Sequence, residues 1–377
     1  MRYPIFIHHS SSSTGVTLLE IVPFQEKFLD AATALVTARY RALRQELPLA
    51  PPRYEDDAVI RPLLAKLTAT APAVMALLAG KLVGFLAAWM IPSWRGQPLA
   101  YSPEWANAAE LDDARHIYQA LYTEIAPFWV RQRTFVHNLT LFAHDRAGIE
   151  GWQWLGFGYY VIDALRSLDP ASIPQEDIDV RRAGTNEIDV LVDLDEQLWA
   201  HLSSSPIFLS DDDHADPRAE LEAALTNPKH AFFVAYRDNT PVAFLHVDGD
   251  NDGACTIVRD PGTAAITGAY TLPQARGDGI ATALLNRGLH WAAQNGFVRC
   301  SVDFEAMNVP AARFWLRHFT PLCISLHRHV NEAIYDFRLT IYDLRLTIVT
   351  VQVQVRRTGR NQMRLPCALL GQCVAPV

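Results

Sequence analysis

Two stretches of the chain share one pattern of apolar and polar positions. Val74–Trp89 reads VMALLAGKLVGFLAAW and Phe232–Val247 reads FFVAYRDNTPVAFLHV. In each, an apolar run meets a short polar turn and gives way to a second apolar run, which predicts a buried β-hairpin. A second pair lies downstream: WQWLGFGYYVIDALR at Trp152–Arg166 and RFWLRHFTPLCISLHR at Arg313–Arg328, each an aromatic helix end running into a strand. The spacing between the pairs is kept, 72 residues from Phe85 to Phe157 and 75 from Phe244 to Phe319. Such self-similarity predicts two related domains of about 150 residues.

Other elements fall between these anchors. Phe28–Leu47 reads as helical, and so does the stretch with Ile188, Leu191, Leu194 and Leu198 at three- and four-residue steps. Ile178–Arg182 opens the second domain as a strand. Ser167–Asp177 has two prolines and no hydrophobic period, so it reads as a linker. The expected layout is a leader at 1–16, a first domain at 17–166, the linker at 167–177, a second domain at 178–332 and a tail at 333–377. The tail repeats IYDFRLT as IYDLRLT and continues IVTVQVQV, with β-branched and aromatic residues that favour strand over coiled coil. It reads as an extension outside the fold, with an added or exchanged strand as the alternative.

Ala73–Ile91 is the one stretch apolar enough to suggest a membrane span, with Lys81 its only charge. Because the pattern recurs at Phe232–Val247, the preferred reading is a hairpin that turns at Ala79-Gly80-Lys81. The leader lacks a continuous apolar core of the kind a secretory signal needs. The chain has 377 residues, 41 acidic and 33 basic side chains, and a net charge of −8. That balance argues against a general nucleic-acid binder, which presents a basic face. It is also uneven: the tail from Ala333 carries +4, leaving −12 on the rest. Five cysteines without a CxxC pair argue against a disulfide framework or a zinc knuckle and suit a reducing cytoplasm.

The most informative segment is Ile266–Leu285, ITGAYTLPQARGDGIATALL. A strand ends at Pro273, Arg276-Gly277-Asp278-Gly279-Ile280-Ala281 follows, and a helix then carries Leu284, Leu285 and Leu289 on one face. Glycines let a backbone turn tightly enough for successive N–H groups to converge on an anion, and a helix N-terminus adds partial positive charge. Alone, RGDGIA could be an ordinary strand-to-helix turn. It is neither a dinucleotide fingerprint, which needs GxGxxG, nor a P-loop, since no Gly-Lys-Ser/Thr follows. The next block is VRCSVD at Val298–Asp303, then Phe304-Glu305-Ala306-Met307-Asn308, then a helix through Ala311, Phe314 and Trp315.

Together these two blocks resemble the GNAT superfamily of acyl-CoA-dependent N-acyltransferases. Its Arg/Gln-x-x-Gly-x-Gly/Ala motif is matched by Arg276, Gly279 and Ala281, and its strand–Asn–helix element by Asn308 and Ala311. The resemblance covers the second half by motif and the first by architecture, as in tandem GNAT proteins such as mycothiol synthase. It implies an α/β (α+β) protein of two tandem GNAT folds, each a mixed, mainly antiparallel twisted sheet flanked by helices. It also implies acetyl-CoA as co-substrate, bound along the backbone of Ala269–Thr271 and by the N–H groups of Arg276, Gly277, Asp278, Gly279, Ile280, Ala281 and Thr282, with Asn308 on the pantetheine. The acceptor would be a small-molecule or peptide amine attacking the thioester directly. No metal, nucleic acid or membrane enters, and the chain is expected to be a cytoplasmic monomer or homodimer.

The sequence also departs from that pattern. The family's thiolate-protonating tyrosine lies seven residues after the Asn, where this chain has Trp315. The strand before the glycines carries no acid. Glu305, Asp303 and Tyr270 are the catalytic candidates, Glu305 preferred as base; a carboxylate there could equally serve the helix dipole. His318 and His246 read as packing or surface residues. Ser210-Asp211-Asp212-Asp213-His214 could attract a cationic amine or merely form a solvated run. In the first half, Ala106, Asn107 and Ala109 stand where Arg276, Gly277 and Gly279 would be, so no cradle is expected there. That half would instead support the second and shape an acceptor cleft, with Trp152, Trp154, Phe157, Tyr159 and Tyr160 mostly in its core. A non-catalytic acyl-CoA-binding or scaffold protein is the alternative.

Overall fold

A computed structural model describes residues 18–171, 178–210, 217–249 and 255–335. The leader, most of the tail, the linker's 172–177 and the acidic run at 211–214 lie outside the described residues. The first half runs β1 (Leu19–Pro23), α1 (Leu29–Glu46), α2 (Asp57–Thr70), β2 (Ala73–Leu78), β3 (Lys81–Ala87), β4 (Trp89–Trp94) and β5 (Gln97–Ser102). It continues with β6 (Asn107–Ala109), α3 (Ala114–Arg131), β7 (Val136–Phe142), α4 (Arg146–Trp154) and β8 (Gly158–Arg166). The second half runs β9 (Asp179–Arg182), α5 (Ile188–Leu202), α6 (Pro217–Thr226), β10 (His230–Arg237), β11 (Thr240–Asp248) and β12 (Thr263–Thr271). It ends with α7 (Ile280–Gln294), β13 (Arg299–Glu305), α8 (Val309–His318) and β14 (Thr320–His329).

Both hairpins form where the pattern placed them. Ala79 and Gly80 have φ of 50° and 77°, and Asp238 and Asn239 have φ of 50° and 61°. Two consecutive positive-φ residues twist a two-residue loop with the strands it joins. Lys81 therefore sits at an exposed turn, paired with Glu110 at 2.7 Å. Among the described residues no helix is long and apolar enough to cross a membrane. The aromatic run divides: Trp152 and Phe157 are buried, whereas Trp154 and Tyr159 are 68% and 46% exposed. Partly buried Tyr160 leans on Trp94 and His327 instead. The residue pattern placed these rings on a helix end and the strand after it without showing which faces the rest of the chain covers.

The larger sheet of the described residues has the order β4-β5-β7-β14-β8-β13-β12-β11-β10-β9. Its centre shows an exchange. β8 closes the first half yet pairs with β13 of the second, from Cys300↔Arg166 to Glu305↔Val161. β14 closes the second half yet pairs with β7 of the first, from Cys323↔Phe142 to His329↔Val136. The two exchanged strands also pair with each other. One continuous sheet thus joins the halves, with α7 and α8 on one face of its second half and α5 on the other.

A side chain of the second half can therefore sit in the first half's core. Leu326 of β14 is fully buried there among residues that include Tyr118, Leu139 and Trp152. Leu326→Ala is expected to cost about 2–5 kcal/mol and to shift one unfolding transition seen alike by far-UV dichroism and tryptophan fluorescence in urea. Two separated transitions, only one of them shifted, would contradict this coupling.

Candidate functional site

β12 and β13 run side by side only briefly. Their parallel register extends from Thr263↔Arg299 to Ile266↔Val302 and ends there. Beyond that point β12 stays with β11, pairing Ala269, Tyr270 and Thr271 with Leu245, Phe244 and Ala243. β13 meanwhile stays with β8 through Glu305. A V-shaped gap opens between them, leaving the inner edge of Ala269–Thr271 turned toward it. At its closed end β12 bulges: Gly268 faces His246 and Ile266 faces Val247, so Thr267 is the extra residue.

The glycine loop lies at the open end of this gap. Gly277 and Gly279 have φ of 92° and 80°. A side chain at Gly277 would meet no atom within 4 Å, so backbone conformation rather than packing demands glycine there. Gly279 is the N-cap of α7, whose Ile280, Ala281, Leu284 and Leu285 are buried and whose first turn carries no acid. Its first-turn N–H groups are available to an anion. Asp278 turns away to pair with Arg237 on β10. Arg276 ties the loop back by donating from Nε to the Thr271 carbonyl at 3.0 Å, its guanidinium 5.7 Å from the Tyr270 ring centre.

Facing the loop, α8 supplies cations. An open cleft of roughly 340 Å³ is lined by Gly277, Gly279 and Thr282 on one side and by Pro310, Arg313, Phe314, Arg317 and His318 on the other. His318 lines this cleft while packing on the Phe314 ring; burial, Arg166 and Arg317 lower its pKa. Spacing alone offered a signal here, since Arg313 and Arg317 are one turn apart on a helix. Asn308 is the N-cap of α8 and fully buried, its Oδ1 accepting from the Ala311 N–H at 3.4 Å. His201 of α5 lies at 3.5 Å from the same oxygen. The Asn308 Nδ2 has no partner among the described residues, a buried donor left over for a ligand. Trp315 is 1% exposed, within the core against Phe314 and Phe319.

On β13, Val302 and Phe304 pack toward α7 and α8. Alternation then sends Asp303 and Glu305 to the opposite face, where Tyr270 packs against α5. Both carboxyls are buried, at 6% and 1% exposure. Asp303 sits directly across from Asp163 of β8. Burial, with Asp163 and Glu305 nearby, raises the Asp303 pKa well above the carboxylate range. Asp163 accepts from the Cys255 N–H at 3.0 Å, and burial lifts its pKa to about 6. Among the described residues no group of three or more His, Cys, Asp or Glu side chains could hold a metal ion.

The corresponding place in the first half is closed. The register of β5 with β7 ends at Ser102↔Leu139. Asn107 then bridges the parting strands, donating from Nδ2 to the carbonyls of Pro103 and Thr140 at 2.9 and 3.1 Å. Where the second half has its glycine loop, Asn107–Ala109 forms β6 and pairs with β3. Cys255, Ile257 and Val258 of the second half fill the first half's core beside Tyr54 and Trp105. There the Tyr54 hydroxyl lies 2.7 Å from the Arg259 carbonyl, and Glu104 accepts from the Ile257 N–H at 2.9 Å.

Residues 196–319 match the family model described as acetyltransferase (GNAT) family, so the second half carries a GNAT domain. Similar solved structures include a GCN5-related N-acetyltransferase from Sphaerobacter thermophilus, 14% identical with a TM-score of 0.48, covering 82% of this chain and 95% of that one. Another, from Kribbella flavida, is 13% identical with a TM-score of 0.36, covering 82% and 71%. A tandem GNAT protein from the clavulanic acid biosynthesis pathway is 13% identical with a TM-score of 0.44, covering 82% and 98%. No curated protein matches the chain.

Burial raises the Glu104 pKa from 4.5 to about 7. The folded chain therefore holds a proton that the unfolded chain has already released, and stability falls as pH rises across that window. Glu104→Gln removes this term. Its stability relative to the parent should improve by on the order of 1–3 kcal/mol between pH 4.5 and pH 7.5 in denaturant titrations. A parent–variant difference that does not change with pH would show Glu104 to be ionised in the fold.

Proposed function

We propose that the chain is an acetyl-CoA-dependent N-acetyltransferase that binds one acetyl-CoA, in its second half, and acetylates a small-molecule or peptide amine. The carrying observation is the gap between β12 and β13 with a glycine-lined helix N-terminus and the cations of α8 at its mouth. Backbone N–H groups from Arg276 through Thr282 would receive the pyrophosphate, while Arg313 and Arg317 balance the phosphate charge. The inner edge of Ala269–Thr271 would pair with the pantetheine as an added strand, and Asn308 would donate to it from Nδ2. Bound there, acetyl-CoA supplies an activated acyl group to an attacking amine.

The β13 lip divides the acid–base work. Glu305, on the face opposite α7 and α8, takes the proton of the incoming amine. Asp303, kept protonated by burial and neighbouring carboxyls, offers a donor hydrogen to the developing oxyanion. Tyr270 walls the gap on the β12 side. The first half contributes β8, which holds β13 in place, and has no gap of its own left open. A non-catalytic acyl-CoA-binding role has one observation in its favour, the tryptophan at 315.

Calorimetry should find one acetyl-CoA per chain. Gly279→Val should weaken that binding at least about 100-fold, since it puts a branched side chain at φ of 80° in the cradle, with the dichroism spectrum unchanged. Normal affinity in this variant would remove the cradle assignment. In a panel of primary amines, release of thiol matched by acetylated product marks the enzyme, and binding without turnover marks the non-catalytic reading. Glu305→Gln should lower kcat by about 10²–10⁴ and leave acetyl-CoA affinity within about threefold.

A further inference from the structure

Acyl transfer from a thioester leaves a thiolate that needs a proton, and neither Trp315 nor the cations of α8 offers a neutral hydroxyl for it. The closed end of the gap has another source. Thr267 Oγ1 lies 3.0 Å from His246 Nδ1, and His246 Nε2 lies 3.0 Å from His230 Nδ1. His230 Nε2 lies 3.3 Å from Asp248 Oδ1, with the two side chains 14% and 13% exposed. Four side chains on three adjacent strands thus form one hydrogen-bonded line from the bulge of β12 to the solvent side of β10 and β11.

The register builds this line. His230 stands opposite Asp248 and Phe232 opposite His246, so alternation puts them on one face. The bulge adds Thr267 to that face beside Gly268. Phe232 stacks on His246 at 4.0 Å with 9° between the rings, which holds the imidazole in place. Thr267 is the first β12 residue past the last pair with β13, as Asp303 is the first on the other strand. The two residues flank the apex of the V.

We propose that Thr267, His246, His230 and Asp248 form a proton relay that protonates the leaving thiolate of the acyl donor, a role that rests on reading the gap as the acyl-CoA site. Before transfer, His230, paired with Asp248, is required by this relay to carry a proton on each nitrogen. It donates from Nδ1 to His246, which donates from Nδ1 to Thr267. The Thr267 hydroxyl proton passes to sulfur as the His246 Nδ1 proton passes to the Thr267 oxygen and the His230 Nδ1 proton to His246 Nε2. His230 and His246 each end with one proton, on Nε2. Once the thiol has left, a proton from water entering the gap at Thr267 runs the same transfers in reverse and resets the line. His246 never becomes cationic, in keeping with a pKa that burial and the facing His230 lower to about 3. Thr267 is the catalytic residue of this set, and the histidines act through it.

Nitrogen NMR on the full chain with labelled histidine tests the resting line. The expected result is His246 protonated on Nδ1 alone and His230 on both nitrogens. Protonation of His246 on Nε2 would reverse the line and overturn the proposal. Kinetics test the role, using the amine that the parent acetylates fastest. His246→Phe should lower kcat at least about 100-fold with acetyl-CoA, change its KM less than about threefold, and lose that deficit with p-nitrophenyl acetate, whose leaving group needs no proton. His230→Gln should behave alike, and serves if the first variant does not fold. Equal losses with both donors would make the histidines structural and sink the relay. Should the parent fail to bind acetyl-CoA, the site reading fails and takes the role with it, while the NMR result then describes only a hydrogen-bonded chain.

Discussion

The candidate site depends on what holds β13 after it leaves β12. Two parallel strands that part in a sheet expose backbone groups on both inner edges, and such groups are costly unless each strand is secured on its outer side. β12 is secured by its own half, through β11. β13 is secured by β8, a strand of the other half, along its whole length. That exchange is matched by β14, which goes to β7 in return. The second half could not keep its gap open by itself in this form, because the strand that would otherwise flank β13 has been given up to the first half.

The two halves share one layout, but only the second leaves the space between its parting parallel strands unbridged by its own residues. In the second half, a pair of positive-φ glycines ends the strand and a helix N-terminus without acids follows. In the first, β6 occupies that position and Glu110, Asp112 and Asp113 crowd the approach to α3, so a phosphate would meet like charge. The Asn107 amide spans the parting strands with the bonds a ligand backbone would otherwise make. The loop before β12 then fills the remaining space with Cys255, Ile257 and Val258. The first half's closed gap thereby becomes a socket for the loop before β12 of the second half.

Much of this was legible in the residues. Both hairpins follow from apolar runs flanking turn residues, and the turn at the head of α7 from glycines set between a strand and an amphipathic helix. Asn308 was singled out only by the strand–Asn–helix resemblance, and its part as the N-cap of α8 came from the structure. The exchange of β8 and β14 was not legible, because alternation along a strand is the same whichever neighbour it pairs with. His246 does pack, on Phe232, but its hydrogen-bond partners were not legible, because they lie 16 and 21 residues away in sequence and meet it only through the register and the bulge. Trp154 and Tyr159 misled for a related reason: apolar content marks a strand or helix, while exposure depends on what covers that face.

Charge is divided across the gap in a way that bears on the order of proton movements. The cations of α8 and the helix N-terminus lie at its mouth, where phosphates would be. The buried carboxyls lie on the β13 lip, and a full set of negative charges there would repel both the oxyanion and the thiolate that acyl transfer creates. Burial limits this by keeping Asp303 protonated and raising Asp163 to about 6. The β12 lip carries no carboxylate of its own and reaches one only through two imidazoles. In the proposed reaction, a proton is therefore taken up on the β13 side and delivered on the β12 side. Keeping these paths on opposite lips prevents the base that activates the amine from having to serve as the acid for sulfur in the same instant. A single tyrosine on α8 would approach the sulfur from the phosphate end; the Thr267 line approaches from the apex, where β12 bulges after its last pair with β13.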